Sequence, residues 1–267
     1  MLEINKIYCG DCKEVMATFP NDCIDLTVTS PPYDNLREYK GYVFDFEGIA
    51  RQLLRITKPG GVVVWVVGDA TVNGSETGTS FRQALYFKEI GFNLHDTMIY
   101  ESIGLTLNHN RYEQEFEFMF VFSKGKPKTF NPIKIPCIWY GKDSERYGQK
   151  TGLHNEKNKK LRSNKSRSAV KKEKIKGNIW RYNTGSGHSA KGKLAFKHPA
   201  IFPELLAQDH IISWSNKGDL ILDAFCGSGT TCKMAKENHR NYIGIEISEE
   251  YLPIIENRIN NAEPNLF

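Results

Sequence analysis

The stretch LILDAFCGSGTT, at residues 220–231, constrains the fold of this chain more than any other segment. Its pattern predicts an apolar strand, a glycine turn and the start of a helix, and a second strand is predicted at residues 242–247. A strand, a helix and a strand with short connections make a βαβ unit, which the right-handed crossover rule places in a parallel sheet. The chain is therefore predicted to be an α/β protein.

Two glycines and one glutamate in this unit indicate a ligand at the ends of its strands. Gly227 and Gly229 can adopt backbone angles that a side chain would forbid, so the turn can approach a ligand closely. Glu246 lies 23 residues after Asp223 and ends the second strand, where a carboxylate can accept hydrogen bonds from ribose hydroxyls. This spacing predicts an adenosine-containing cofactor. Taken alone, the G-x-G spacing is explained equally well by a tight turn between strand and helix.

Further strands and helices are predicted on both sides of a basic segment. Residues 62–69 (VVVWVVGD) form a near-continuous apolar run, which is typical of a parallel strand covered on both faces. Residues 115–122 (EFEFMFVF) alternate strictly, which is the period of a strand. The remaining predicted elements are a strand at residues 24–30 and helices at residues 46–56, 80–89, 200–213, 230–238 and 249–260.

The first of these strands leads directly into the sequence Thr29-Ser30-Pro31-Pro32-Tyr33. The two prolines fix their own φ and keep the preceding residues extended, which holds the Ser30 hydroxyl and the carbonyls at the end of the strand. The Ser30 hydroxyl and the Pro31 carbonyl can accept hydrogen bonds from a planar amino group on a nucleic-acid base. These bonds can draw the amino hydrogens out of the ring's conjugation, which frees the nitrogen lone pair. Tyr33 can stack on the same base. A rigid surface turn is the alternative interpretation of these residues.

The formal net charge of +5 conceals a strong asymmetry along the chain. Residues 123–197 hold 21 Lys and Arg against four Asp and Glu, so this segment carries +17 and the remainder of the chain −12. Aromatic residues are interleaved with the basic ones, which suits a surface that binds phosphates and bases. A solvated or disordered face is the alternative interpretation for residues 155–176.

The cysteines and the lengths of the apolar runs predict the redox state of the thiols and whether the chain crosses a membrane. Without a secretion signal, six cysteines predict reduced thiols rather than a disulfide scaffold. Cys9 and Cys12 form a C-x-x-C, but a zinc site needs two more ligands at matching spacing, so we expect no metal. The apolar runs are far shorter than the ~20 residues of a membrane span. We therefore expect a cytoplasmic protein that does not contact membranes.

The pairing of TSPPY at residues 29–33 with DAFCGSGTT at residues 223–231 resembles the amino-methylating DNA methyltransferases. These enzymes use S-adenosyl-L-methionine (AdoMet) to form N4-methylcytosine or N6-methyladenine. The catalytic tetrapeptide precedes a basic segment and the AdoMet loop comes last, which is the permuted order of the family's β group. Further matches are GDC at residues 10–12, KPGG at residues 58–61 and KHPAIFP at residues 197–203.

The resemblance implies the fold and the division of the chain. The expected fold is the Rossmann-like α/β fold of AdoMet-dependent methyltransferases, a seven-stranded, mostly parallel sheet with helices on both faces. An antiparallel hairpin in it would include residues 115–122. Residues 1–122 and 198–267 would form the catalytic AdoMet-binding domain, and residues 123–197 a basic target-recognition insert.

The resemblance also implies a role for each residue that matches a family motif. The catalytic tetrad would be Ser30, Pro31, Pro32 and Tyr33. The residues that would bind AdoMet are Asp11, Cys12, Thr29, His198, Pro199, Asp223, Phe225, Gly227, Ser228, Gly229, Thr230, Glu246 and Ile247. Asp11 has an alternative role as a turn residue, and His198 as a residue at the entry of a helix. The reaction requires neither a metal nor a covalent cysteine, so Cys226 is interpreted as a small packing residue.

The activity that the resemblance implies is site-specific transfer of a methyl group from AdoMet to the N4 amine of a flipped cytosine in double-stranded DNA. Ser30 favours cytosine, because the family's adenine members more often carry Asp there; the same reaction on adenine N6 is the alternative. Protein-glutamine methyltransferases carry Asn-Pro-Pro-Tyr and place the AdoMet loop first, unlike this chain. A further alternative is that the chain is a non-catalytic basic protein that binds nucleic acid; such a protein would lack affinity for AdoMet. A companion restriction endonuclease is a candidate partner, and both a monomer and a homodimer are compatible with the sequence.

Overall fold

The computed structural model of the 267-residue chain divides into two units. The residues that the structure describes are 2–32, 44–102, 112–138, 140, 171–183, 189–190 and 202–264. The first unit comprises Met1–Asn131 and Gly177–Phe267, and the second comprises Pro132–Lys176. The second unit is narrower than the predicted insert of residues 123–197, because both ends of that segment belong to the first unit.

Eight strands form the central sheet of the first unit, and two short strand pairs lie outside it. In chain order the strands are β1 (Lys6–Cys9), β2 (Ile24–Thr29), β3 (Thr57–Val67), β4 (Thr71–Val72), β5 (Ser75–Glu76), β6 (Asn93–Glu101), β7 (Phe116–Ser123), β8 (Lys134–Pro136), β9 (Glu173–Ile175), β10 (Ile179–Arg181), β11 (Leu220–Asp223) and β12 (Asn241–Glu246). The central sheet has the order β1-β12-β11-β2-β3-β7-β6-β10, while β4 pairs with β5 and β8 with β9.

The central sheet is mostly parallel, as predicted. Strand β7 runs antiparallel to both of its neighbours, β3 and β6, and the other neighbouring pairs are parallel. The predicted antiparallel strand at residues 115–122 is β7, shifted by one residue. The expected count of seven strands was one too low for the described residues. The additional strand is β10, a segment of three residues that pairs with the outer edge of β6 and buries Trp180.

Six α-helices are described; the last five of them correspond to the predicted helices, and the first was not predicted. They are α1 (Cys12–Ala17), α2 (Phe46–Ile56), α3 (Thr79–Glu89), α4 (Glu204–Trp214), α5 (Thr230–Glu237) and α6 (Leu252–Asn260), the last preceded by a 3-10 turn at Glu249–Tyr251. The apolar stripe of α2 buries Ile49, Leu53 and Ile56, which explains why its period was visible in the sequence. None of the helices described here is long and apolar enough to cross a membrane.

Strand β3 begins earlier than its apolar run suggested. The predicted helix ends at residue 56 and the predicted strand begins at residue 62, whereas β3 already starts at Thr57. Gly60 adopts a positive φ of 80°, and its N–H donates to the Lys124 carbonyl at 2.7 Å. The glycine-rich segment therefore continues the strand in an irregular form instead of interrupting it.

One layer of the core of the first unit lies on the face of the sheet that α1, α2 and α3 cover. Trp65 on β3 packs edge-to-face against Phe87 on α3, and Phe87 stacks on Phe122 of β7 with centroids 4.5 Å apart. The indole N–H of Trp65 donates to Gln83, which satisfies the one polar atom of that buried side chain. This packing fixes β3 and, through it, the neighbouring strand β2.

Candidate active site

The predicted site residues that the structure describes cluster at one edge of the sheet, where four neighbouring parallel strands end. Cys9 at the end of β1 is in register with Glu246 at the end of β12, and Asp223 at the end of β11 is in register with Gly244. Strand β2 lies beside β11 and ends at Thr29. The carboxyl ends of parallel strands are where α/β sheets bind ligands. The order of the strands thus brings together residues that are distant in the sequence.

Asp223 connects the two predicted motifs. Its Oδ1 accepts a hydrogen bond of 2.6 Å from the Thr29 hydroxyl, and the N–H of Phe225 donates to the same oxygen at 3.2 Å. The side chain is buried, with only 5% exposed, and burial raises the pKa of this carboxyl to about 6. The bond to Thr29 acts in the opposite direction and keeps the pKa from rising further. The TSPPY segment and the glycine turn are therefore held together by a direct contact.

Asp223→Asn is expected to flatten the pH dependence of stability. The pKa of about 6 in the folded protein exceeds the ordinary value of 3.8, so the folded state binds this proton more tightly than the unfolded state. The free energy of unfolding consequently falls as the pH rises from about 4 to about 6. One pKa unit corresponds to about 1.4 kcal/mol, which limits this loss to about 3 kcal/mol. Urea unfolding of both proteins at pH 4 and pH 7.5 measures the difference, and an identical pH dependence would contradict the assignment.

The turn after β11 requires its glycines. Gly227 and Gly229 have φ values of 54° and 82°, in the left-handed region that favours glycine. A Cβ on Gly229 would also lie 2.8 Å from Cγ2 of Ile255 on α6, so there is no room for a side chain at residue 229. The turn leads into α5, and its predicted close approach to a ligand stays a prediction.

Glu246 is held by backbone donors on both of its carboxylate oxygens. The N–H of Gly227 donates to Oε2 at 2.8 Å, and the N–H of Ser248 donates to Oε1 at 2.9 Å. Burial raises the pKa of this carboxyl, and the two backbone bonds partly offset that effect. Each carboxylate oxygen has a second lone pair, so Glu246 can still accept hydrogen bonds from a ligand. Ile247, the next residue, is 42% exposed and presents an apolar surface beside the acid.

The described part of the predicted catalytic tetrad follows β2 without a break. Ser30 is half-buried, Pro31 is buried and Pro32 is half-buried. The three residues extend from the strand end at which Thr29 contacts Asp223. Tyr33 lies outside the described residues. The roles of Ser30 and Pro31 in catalysis stay predictions.

The N-terminal segment at residues 10–12 also reaches this edge. The N–H of Gly10 donates to the Glu246 carbonyl at 2.9 Å. Asp11 caps α1, because its Oδ1 accepts hydrogen bonds from the N–H groups of Lys13 and Glu14. Cys12 is buried in the main core. The capping role realises the alternative interpretation of Asp11, and its contact with a cofactor stays a prediction. His198 and Pro199 lie outside the described residues.

Two side chains that were not predicted as site residues, Thr231 and Arg258, hold the glycine turn. Thr231 donates from its hydroxyl to the Val28 carbonyl at 3.2 Å, a second contact between the turn and β2. Arg258 on α6 donates from Nη1 to the carbonyl and hydroxyl of Ser228, at 2.5 and 2.7 Å, and to the Thr230 hydroxyl at 3.1 Å. A signal for Arg258 was present in the sequence, since a charged residue occupies the apolar face of α6 between Ile255 and Ile259.

The cysteines near the turn are buried thiols. Cys226 and Cys232 place their Sγ atoms 3.7 Å apart, and a Cβ on Gly244 would lie within 3 Å of both. The contact with Cys232 and burial raise the pKa of Cys226 well above its ordinary value, which disfavours the thiolate. This environment supports the interpretation of Cys226 as a packing residue. Within the described ranges, no three His, Cys, Asp or Glu side chains come together to hold a metal ion.

Comparison with known proteins identifies the family. The family model described as DNA methylase, for enzymes that methylate N6 or N4 amines, matches residues 24–257 of this chain. The chain belongs to the N6/N4 family of DNA methylases. The expected resemblance is thereby confirmed, and the chain is a DNA methyltransferase.

Relatives of this methylase include several bacterial methyltransferases. It is 56% identical over 243 residues to the orphan methyltransferase M.BamHII of Bacillus amyloliquefaciens, with 90% of each chain covered. It is 28% identical over 280 residues to the Type II methyltransferase M.BglII of Bacillus subtilis, with 98% of this chain and 72% of the relative covered. These names place the methylase in the context of restriction and modification.

Two solved structures share the fold of this methylase. The PvuII DNA methyltransferase, described as cytosine-N4-specific, superposes with a TM-score of 0.68 at 22% identity and covers 97% of this chain and 88% of its own. The DNA modification methylase TTHA0409 of Thermus thermophilus, in complex with S-adenosyl-L-methionine, has a TM-score of 0.62 at 23% identity. That match covers 97% of this chain and 96% of the other. The predicted fold class, an AdoMet-dependent methyltransferase fold, is confirmed.

Proposed function

We propose that this methylase transfers a methyl group from AdoMet to the exocyclic N4 amine of cytosine in double-stranded DNA. The observation that carries the proposal is the 2.6 Å hydrogen bond between Thr29 and Asp223. It joins the end of the strand that leads into Ser30 and Pro31 to the end of the strand that leads into the glycine turn. A base held by the first segment and a cofactor held by the second would therefore meet at one edge of the sheet.

The residues around the glycine turn fit AdoMet. Glu246 retains acceptor capacity for ribose hydroxyls, and the exposed Ile247 beside it can cover one face of a purine ring. The positive φ values of Gly227 and Gly229 let the backbone approach the methionine end of the cofactor. TTHA0409 and M1.HpyAVI, which share this fold, were solved as complexes with this molecule. Bound AdoMet supplies a methyl group on a positively charged sulfur, which an amine lone pair can attack.

Ser30 and Pro31 prepare the amine for that attack. A cytosine amine is conjugated with its ring, and its lone pair becomes nucleophilic only when the nitrogen leaves that conjugation. Hydrogen bonds from the two amine hydrogens to the Ser30 hydroxyl and the Pro31 carbonyl favour this geometry. The same acceptors stabilise the positive charge that develops on nitrogen as the new bond forms, so they act mainly in the transition state. The new nitrogen–methyl bond would form as the methyl–sulfur bond breaks, with its electron pair left on sulfur as a neutral thioether, and one amine proton would pass from the methylated nitrogen to water.

The choice of cytosine over adenine has two supports. The first is Ser30 itself, because the resemblance associates Ser at this position with cytosine more often than with adenine. The second is the PvuII methyltransferase, a structural neighbour described as cytosine-N4-specific. Adenine N6 is the alternative target, since the reacting group is the same kind of exocyclic amine.

The basic segment supplies the affinity for DNA. This segment carries a net charge of +17, whereas the remainder of the chain carries −12. Contacts with phosphates dominate the affinity of such basic surfaces for DNA. In the second unit, the antiparallel pair β8 and β9 carries Lys134 and Lys174, and Lys171 and Lys172 directly precede β9. We propose that residues 123–197 recognise the target and that the target base is flipped out of the duplex to reach Ser30.

Transfer of labelled methyl groups tests the proposal. Incubation of the protein with methyl-labelled AdoMet and plasmid DNA should place the label in DNA, and not in RNA or bacterial protein offered at equal mass. Label in protein or RNA alone would overturn the assignment of DNA as substrate. A companion endonuclease and the oligomeric state stay predictions; the name of M.BamHII describes that relative as an orphan enzyme, whereas M.BglII is described as Type II.

A further inference from the structure

The buried side chain of Arg258, on α6, donates hydrogen bonds to the glycine turn. Arg258 is only 6% exposed, and its Nη1 donates to the Ser228 carbonyl, the Ser228 hydroxyl and the Thr230 hydroxyl at 2.5, 2.7 and 3.1 Å. Three of its contacts thus end on residues 228 and 230 of the turn. A guanidinium offers several donors in a rigid fork, which suits it to hold one segment of backbone in a defined position.

The charge of this arginine is balanced inside the protein. Its Nη2 donates to Oε1 of Glu204 at 2.8 Å, and Nζ of Lys233 donates to the same oxygen at 2.7 Å. Glu204 and Lys233 are both less than 10% exposed, so the three charges are shielded from water. The network joins α4, α5 and α6 to the turn. Loss of Glu204 would leave the buried charge of Arg258 without its partner, which is unfavourable, whereas loss of Arg258 leaves Glu204 paired with Lys233.

Two groups of contacts hold the turn. The N–H of Gly227 donates to Glu246 on β12. From α6, Arg258 binds Ser228 and Thr230, and Ile255, one helical turn earlier, packs against Gly229. These contacts hold residues 227–230, which are among those that the family resemblance assigns to the binding of AdoMet.

We propose that Arg258 is a positioning residue for the cofactor turn, which it fixes in the shape that binds AdoMet. The proposal rests on the proposed function, because it concerns the same cofactor site. Arg258 does not contact AdoMet in this proposal; it acts through Ser228 and Thr230. The Ser228 hydroxyl accordingly serves the turn's own structure, and the contribution of Ser228 to cofactor binding comes from its backbone.

Arg258→Met tests this role, with Arg240→Met as a matched control. Arg240 also donates to both the carbonyl and the hydroxyl of one serine, Ser215, at 2.7 and 3.1 Å, but it directly precedes β12, at the end of that strand opposite to Glu246. Both variants lose comparable hydrogen bonds and should unfold at lower temperature. Only Arg258→Met is expected to raise the Kd and KM for AdoMet, by about 10- to 100-fold, since bonds to a charged donor are lost at the turn. At saturating AdoMet its kcat should stay within about threefold of the wild-type value.

A double-mutant cycle provides a second test of the proposal if Arg258→Met does not fold. Arg258→Lys preserves the charge next to Glu204 but not the fork that reaches Ser228, and it should weaken AdoMet binding in a folded protein. Combined with Ser228→Ala, its effect on the Kd should be less than multiplicative, because both changes remove the same contact. An unchanged Kd in Arg258→Lys, or an equal rise in Arg240→Met, would overturn the proposal. Wild-type protein that binds no AdoMet would instead refute the proposed function.

Discussion

Gly227→Val is expected to abolish detectable binding of AdoMet. The φ of Gly227 is 54°, a left-handed conformation that a β-branched residue adopts only with strain. Relief of that strain requires the turn to move, and the N–H of Gly227 would then lose its 2.8 Å bond to Glu246. The change therefore disturbs both the backbone that approaches the methionine and the acid proposed for the ribose. Isothermal titration calorimetry measures the loss directly.

Gly218→Val is the matched control for this experiment. Gly218 has a φ of 88°, and among the described residues no atom lies within 4 Å of an added Cβ, so valine meets similar backbone strain there. It precedes β11, at the end of that strand opposite to Asp223. Gly218→Val should lower stability but keep the affinity for AdoMet. Unchanged affinity in Gly227→Val, in a protein that folds, would remove the glycine turn from the cofactor site.

Ser30→Ala is expected to lower kcat by about 100-fold or more, with little change in the Kd for DNA or for AdoMet. The hydroxyl is proposed to accept a hydrogen from the target amine, and that bond gains strength only as positive charge develops on nitrogen. An interaction made mainly in the transition state affects the rate more than ground-state binding. Single-turnover kinetics with saturating AdoMet separate the chemical step from product release.

Ser213→Ala provides a control for the loss of a serine hydroxyl. The Ser213 hydroxyl donates to the Asp209 carbonyl within α4, away from the strand ends, and its removal should leave kcat within about twofold of the wild-type value. If Ser30→Ala instead weakens binding of DNA and leaves kcat unchanged, Ser30 contributes to base capture and not to activation of the amine.

Elements with a strong local pattern could be predicted from the sequence. Helix α2 has the predicted bounds, because its apolar stripe is regular and a capping Asp45 precedes it. Strand β7 and the apolar part of β3 were predicted from alternation and from a continuous apolar run. Strand β1 and helix α1 were not predicted, because segments of four and six residues are too short to display a period.

Strand β10 shows how tertiary pairing can override local composition. Its three residues, Ile179–Arg181, lie in a stretch dominated by basic residues, and no local pattern marks them as a strand. They pair with β6 because that edge of the sheet offers free backbone partners. The predicted insert of residues 123–197 was therefore wider than the second unit, Pro132–Lys176.

The candidate site was predictable in its parts but not in its connections. The glycine turn and Glu246 follow from local spacing, since both belong to one βαβ unit. The bond between Thr29 and Asp223 spans 194 positions and depends on β2 and β11 being neighbours, which no local pattern specifies. The same holds for Arg258, whose partners become evident only when α6 packs against the turn.

Identification of the methylated base tests the central claim most directly. Plasmid DNA is incubated with the protein and AdoMet, digested to nucleosides and analysed by mass spectrometry, with Ser30→Ala protein as the matched control. We expect N4-methylcytosine, no N6-methyladenine, and a strongly reduced yield with the control. N6-methyladenine as the product would contradict the assignment of cytosine, and DNA free of both bases, from protein that binds AdoMet, would contradict the proposed reaction.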